Sequence, residues 1–130
     1  MRNINLNNER KFENLKNSND QVHIAQSKFY WAVELPSKEY LKKTMHAIRN
    51  KRVLEVGCSN DSAASEYVQV TSFYLGVDIS DVAIEIAKER HLPSAEFVCM
   101  NGHHLPVDDQ SYDFVVVNSL LHYLYLEQAF

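Results

Sequence analysis

From Arg52 onward the chain alternates short apolar runs with amphipathic stretches. Val53, Leu54 and Val56 form the first run, Phe73 to Val77 the second, Phe97 and Val98 the heart of the third, and Phe114 to Val117 the fourth. Each has the length of a strand and is bounded by Gly, Ser, Asn or Pro. The pattern predicts a strand over 53–57, a helix over 62–69, a strand over 73–78 and a helix over 80–90. A strand over 96–100, a loop over 101–112, a strand over 113–118 and a helix over 119–128 follow. Ser80 is placed to cap the middle helix, Val82, Ala83, Ile86 and Ala87 to make its buried stripe, and Pro93 follows its end. Strands alternating with helices imply right-handed crossovers and a parallel sheet. Phe114 to Val117 is apolar at every position, as in a strand buried on both faces. There are no internal repeats.

Upstream the pattern changes. Residues 1–20 hold seven asparagines and few large apolar groups, the composition of a flexible leader. His23, Ile24, Phe29, Tyr30, Trp31 and Val33 suggest a helix ending before Pro36, because the residue before a proline disfavours the α conformation. Ser37 then reads as an N-cap. Tyr40, Leu41, Thr44, Met45 and Ile48 recur at spacings of three and four, an amphipathic helix covering a sheet face. The organisation is therefore a leader over 1–20, helices within 21–50 and a βαβ core over 51–130.

A chain of 130 residues makes one domain, and 45% hydrophobic residues suffice for a core. No apolar run approaches the ~18 residues of a membrane span. MRNINLNNER carries no signal-peptide h-region, so the expected compartment is the cytoplasm. A net charge of −4 gives no electrostatic footprint for nucleic acid. Cys58 and Cys99 read as reduced, small hydrophobes rather than a disulfide.

The chemistry concentrates where the strands end. In VLEVGCSND, Val53 to Asp61, a strand carrying Glu55 feeds a tight turn at Gly57 and then a helix. Such a turn lets backbone approach a ligand and aims helix N–H groups at anything anionic. Asp78, in YLGVDIS, ends the next apolar run 21 residues after Gly57. An acid at that distance, on the tip of the neighbouring strand, is where a nucleoside ribose is held. A dinucleotide site wants GxGxxG, but only its first glycine is present, since Ser59 and Ser62 stand at the other two positions.

VLEVGCSN resembles the first motif of the class I S-adenosylmethionine-dependent methyltransferases, of the type 11 kind. LGVDIS resembles the second motif, and FVCMNGHHLPVDDQSYDFVVVNSLLHYL the third and fourth, in matching order from Arg52 to about Leu126. The resemblance implies a Rossmann-like, mostly parallel α/β sheet flanked by helices, with strand order 3-2-1-4, and S-adenosylmethionine as cofactor. It implies that Gly57, Cys58 and Ser59 border the methionine moiety and that Glu55 orients the turn or meets the amino group. Asp78 would accept from the ribose hydroxyls, Ile79 would pack on adenine, Asn101 would accept from the adenine amino group, and the Gly102 N–H would reach a ring nitrogen. Asn118 would lie near the sulfonium methyl. Family members more often have glycine at Ser59 and Asp61, and Asp61 brings a carboxylate close to the cofactor's own. Asn101-Gly102 is equally a turn dipeptide, and Tyr30 with Trp31 reads as a cofactor lid or a core pair.

The resemblance implies no enzyme-bound intermediate and assigns no catalytic residue. His103, His104 and His122 lack metal-ligand spacing, so no metal is expected. The family's sheet has seven strands and four are counted, so the expectation is a domain truncated after the fourth strand and its helix. That portion would be too short to be active alone and prone to self-association, or to pairing with a partner chain, at the fourth-strand edge. The function implied is methyl transfer to an unidentified small-molecule or protein acceptor. A non-catalytic methyltransferase-like module or truncated gene product, and less favourably a NAD-dependent oxidoreductase, are the other readings.

Overall fold

The computed structural model describes residues 7, 8, 10, 11, 14, 28–60 and 63–117, with the backbone alone over 28–37. Its elements are α1 (Lys28–Ala47), β1 (Arg52–Val56), α2 (Ala64–Tyr67), β2 (Phe73–Asp78), α3 (Asp81–Lys88), β3 (Ala95–Cys99) and β4 (Phe114–Val117). The four strands form one sheet in the order β3-β2-β1-β4, and every pairing is parallel. The α/β architecture is the one the sequence pattern predicts, and the strand order is the one the resemblance implies. The predicted helix over 119–128 lies outside the described residues.

Side-chain alternation along the strands builds two faces. Val53, Tyr74, Phe97 and Val116 point to one face, where Ile48, Tyr67, Ile84 and Ala87 meet them. The end of α1, α2 and α3 thus cover the same side of the sheet. Leu54, Val56, Leu75 and Val77 point to the other face and pack with Met100, Leu105, Val107 and Tyr112 of the β3–β4 connection. At the opposite end from the strand tips, Arg52 binds that connection to β1. Its N–H donates to Asp113 Oδ2 at 2.8 Å, its Nε to the Ser111 carbonyl at 3.0 Å, and the Asp113 N–H returns to the Arg52 carbonyl at 2.9 Å. The Arg52 guanidinium also lies over the Phe73 and Tyr112 rings, 4.8 and 5.5 Å from their centroids.

Several expectations are corrected. One helix, Lys28–Ala47, runs through Pro36 and Ser37, so Ser37 is interior and not an N-cap. A proline removes one helical hydrogen bond, and the surrounding turns carry the helix across that gap. The buried positions of α3 are Ala83, Ile84 and Ala87, with Val82 and Ile86 half-buried, because the helix presents a slightly rotated stripe to β2 and β3. β4 is not buried on both faces: Val116 is, while Val115 is 50% exposed. Ser80 does cap α3, its Oγ accepting from the Ala83 N–H at 3.1 Å. Five positions inside the stretch read as a leader, Asn7, Asn8, Arg10, Lys11 and Asn14, are helical. Cys58 and Cys99 are free thiols.

Candidate functional site

The sheet reverses its direction of growth at β1, with β2 and β3 laid down on one side and β4 on the other. In open α/β sheets the crevice outside the carboxyl ends of the strands at such a switch point is the binding position. The tips of β1 and β2 meet there in register, Val56 opposite Val77, with Asp78 as the last residue of β2.

Beyond Val56 the chain must turn sharply, and Gly57 does so at φ 81°, a left-handed conformation that only glycine adopts without strain. The N–H groups of Gly57 and Cys58 both donate to the Val77 carbonyl, at 2.8 and 3.0 Å. Ser59 is left-handed in its turn, at φ 52°, and its N–H donates to Asp78 Oδ2 at 2.9 Å. Asp78 Oδ1 in turn accepts from the Ser80 N–H at 2.9 Å. One carboxylate therefore binds two turns together. A carboxylate has about four lone-pair sites, so each oxygen of Asp78 retains capacity for a ligand hydroxyl. The Arg90 guanidinium donates to the Asn60 carbonyl and braces the far side of the turn.

Glu55 lies beneath this turn and is 2% exposed, with the Tyr74 hydroxyl donating to its Oε2 at 2.5 Å. Tyr67 packs beside Tyr74, ring centroids 6.3 Å apart. Burial pushes the Tyr67 phenol well up, with the Glu55 charge adding to it. The Cys58 side chain is buried in the same region. Its thiol is pushed far up, first by burial and then by the negative charges of Asp78 and Glu55. At 1% exposure within the core cluster, it is a packing group.

The sequence reading passed over Gly76. A Cβ there would come within 2.9 Å of Phe97 Cδ1 and 3.0 Å of Cys58 Sγ. This glycine lets β2 pass under Cys58, and a glycine in mid-strand is the signal that could have found it.

At the tip of β3, the Met100 N–H donates to the Asp78 carbonyl at 2.8 Å, which brings Asn101 and Gly102 alongside the crevice. Asn101 Oδ1, the predicted acceptor for an adenine amino group, takes the His103 N–H at 3.0 Å and lies 3.1 Å from His103 Nδ1. The His104 N–H donates to the Asn101 carbonyl at 3.0 Å. The turn function of this dipeptide is thus realised, and the side-chain oxygen is already engaged. Ile79 is half-buried, with its carbonyl facing Cys99 Sγ at 3.5 Å. The structure brings Glu55, Gly57, Cys58, Ser59, Asp78, Ile79, Asn101 and Gly102 to one end of the sheet. Asn118, Asp61, His122 and the Tyr30 and Trp31 side chains lie outside what is described. Among the described residues no cluster of His, Cys, Asp and Glu could hold a metal ion, and no helix is long and apolar enough to cross a membrane.

Ser59 carries strain that a glycine would not. A left-handed non-glycine residue costs about 1–2 kcal/mol, against roughly 0.5–1 kcal/mol for the extra unfolded-state freedom of glycine. Ser59→Gly is therefore expected to raise stability by about 0.5–1 kcal/mol, read as a later urea midpoint. A midpoint that falls would mean that the serine side chain contributes more than its backbone costs.

A family model described as "Methyltransferase domain" matches residues 54–130. A phthiotriol/phenolphthiotriol dimycocerosates methyltransferase of Mycobacterium tuberculosis is 38% identical over 69 residues, 51% of this chain and 26% of that protein. The chain thus spans about a quarter of the length of the curated relatives it matches. Magnesium protoporphyrin IX methyltransferase from Synechocystis PCC 6803, solved with bound SAM, superposes with a TM-score of 0.69 at 18% identity, covering 92% of this chain and 64% of that one. Phosphoethanolamine N-methyltransferase 1 of Haemonchus contortus, in complex with phosphoethanolamine and S-adenosylhomocysteine, gives 0.68 at 19% identity over 92% of this chain and 26% of that one. At these identities the two structures establish a shared fold.

Proposed function

Because this chain belongs to the methyltransferase-domain family, we propose that it binds S-adenosylmethionine across the tips of β1, β2 and β3 and takes part in methyl transfer to an acceptor molecule. The observation that carries this reading is Asp78, a carboxylate at the switch point that braces both neighbouring turns and keeps acceptor capacity for a vicinal diol. The residues present fit the group. Gly57 leaves the turn without a side chain where a ligand approaches, and Ile79 offers an apolar surface beside the acid.

When bound, the sulfonium supplies an already activated methyl group. The work of this chain is then positioning. Asp78 holds the ribose, and Gly57, Cys58 and Ser59 border the amino-acid end through a turn whose N–H groups are committed internally, so the turn is rigid before any ligand arrives. Glu55 acts from below, through Tyr74 and the floor of the turn, rather than by direct contact. Asn101 reaches an adenine amino group only by sharing the oxygen that His103 occupies, which assigns more of the adenine recognition to backbone at Gly102.

The direct test is calorimetric titration with S-adenosylhomocysteine, with NAD as competitor. Saturable binding that NAD does not displace is expected. Heat from NAD alone would favour the oxidoreductase reading, and no heat from either ligand would favour a non-catalytic module. The acceptor screen that follows should span lipid hydroxyls and small amines, the range covered by the names of the matched relatives.

A further inference from the structure

The three residues that follow Asp78 are each held by the chain's N-terminal segment. Arg10 Nε donates to the Ile79 carbonyl at 3.0 Å. The Ser80 hydroxyl donates to Asn14 Oδ1 at 2.6 Å, and Asn14 Nδ2 donates to Asp81 Oδ1 at 2.7 Å. These contacts join residues 66 to 69 positions apart.

The Asn14 amide uses both of its ends on one turn. Of the side chains, only Asn and Gln set a neutral acceptor and a donor side by side in this way. Ser80 is fully buried, and its oxygen already accepts the Ala83 N–H, so its single proton goes to Asn14. The Ser80 N–H holds Asp78 Oδ1. A chain of bonds thus runs from Asn14 through Ser80 to the carboxylate assigned to the ribose. The Asn14 bond is also the largest influence keeping the exposed Asp81 carboxyl below its ordinary range.

We propose that Arg10 and Asn14 act as a strap on the β2–α3 turn, with Asn14 the positioning residue that holds Asp78 and Ile79 in the shape that receives the nucleoside. The proposal rests on the cofactor reading above. A segment and a ligand that order the same turn each lower the other's ordering cost. By linkage, occupancy must strengthen docking of the strap by the same factor that docking strengthens binding.

The test uses the 130-residue chain, with S-adenosylhomocysteine as probe, calorimetry for affinity and hydrogen exchange for the strap. Ligand should slow exchange of the amides of Arg10 and Asn14. Asn14→Asp keeps the acceptor for Ser80 but sets a carboxylate against Asp81, and should weaken binding about fivefold, the scale of one hydrogen bond. Combining Asn14→Asp with Asp81→Asn restores the bond with donor and acceptor exchanged, and affinity should return to within about twofold of the unaltered chain. A strap with no positioning role would leave affinity unchanged in Asn14→Asp or show no rescue in the pair, and either result overturns the proposal. Failure of the unaltered chain to bind the probe is a different outcome. It overturns the cofactor reading, and this proposal with it.

Discussion

Asp78→Ala is expected to weaken S-adenosylhomocysteine binding by roughly 10- to 100-fold and to lower stability at the same time. The binding loss follows from removing a charged acceptor, worth about 1.5–3 kcal/mol, at about 1.4 kcal/mol per factor of ten. The stability loss has a separate origin. The Ser59 and Ser80 N–H groups both give their hydrogen bonds to this side chain, at 2.9 Å each, and both lose their acceptor together. Asp78→Asn keeps the shape of the side chain and one acceptor oxygen, so one of the two N–H groups keeps its bond while the other meets an amide NH2, and both stability and affinity should fall in part. Calorimetry and urea unfolding on the three proteins read both quantities. An unchanged affinity in folded Asp78→Ala would remove the ribose assignment.

The second large effect is expected at Gly76. Gly76→Ala places a methyl group 2.9 Å from Phe97 Cδ1 and 3.0 Å from Cys58 Sγ, closer than packed carbon and sulfur tolerate. Overpacking of this kind costs about 1–3 kcal/mol. Phe97 and Cys58 are buried, so neither can swing into solvent to relieve it. Cys58 follows directly on Gly57, and pressure on its side chain is transmitted to the turn proposed to border the cofactor. Gly76→Ala should therefore lose affinity as well as stability. Adding Phe97→Leu, which shortens the obstructing ring, should recover part of both. Thermal unfolding and calorimetry on the single and double variants measure this coupling. A Gly76→Ala protein as stable as the parent would show that the core at this point yields more easily than its geometry indicates.

Some of this molecule was legible in the sequence because single strands carry their own signal. The run from Phe73 to Val77 ends in Asp78, and the structure ends β2 at that residue. Ser80 announced its cap by type and place. The features that escaped reading depend on contacts between distant segments. Tyr74 is a plain strand aromatic in sequence, and only its hydrogen bond to the buried Glu55, nineteen positions earlier, gives it a polar partner in the core. Gly76 matters because of Phe97 and Cys58, and Asn14 because of Ser80 and Asp81, none of them sequence neighbours. The proline rule misplaced a helix end at Pro36 because local preference is weaker than the continuity of a long helix. The run Phe114 to Val117 concealed the exposure of Val115, since composition does not say what lies over each face.

The place of β4 has a consequence for how the chain assembles. β1 pairs with β2, and β2 with β3, each across a connection that folds into a helix. β4 instead pairs with β1 and is clasped by Arg52 to Asp113, 61 positions away. The entropy of closing such a loop grows with its length and must be met before any pairing energy is gained. β4 is also the shortest strand, with four residues, and among the described residues it has β1 as its one strand neighbour. It should be the last strand to join during folding and the first to detach, exposing Leu54 and Val56 while the β1-β2-β3 unit beneath the crevice stays assembled.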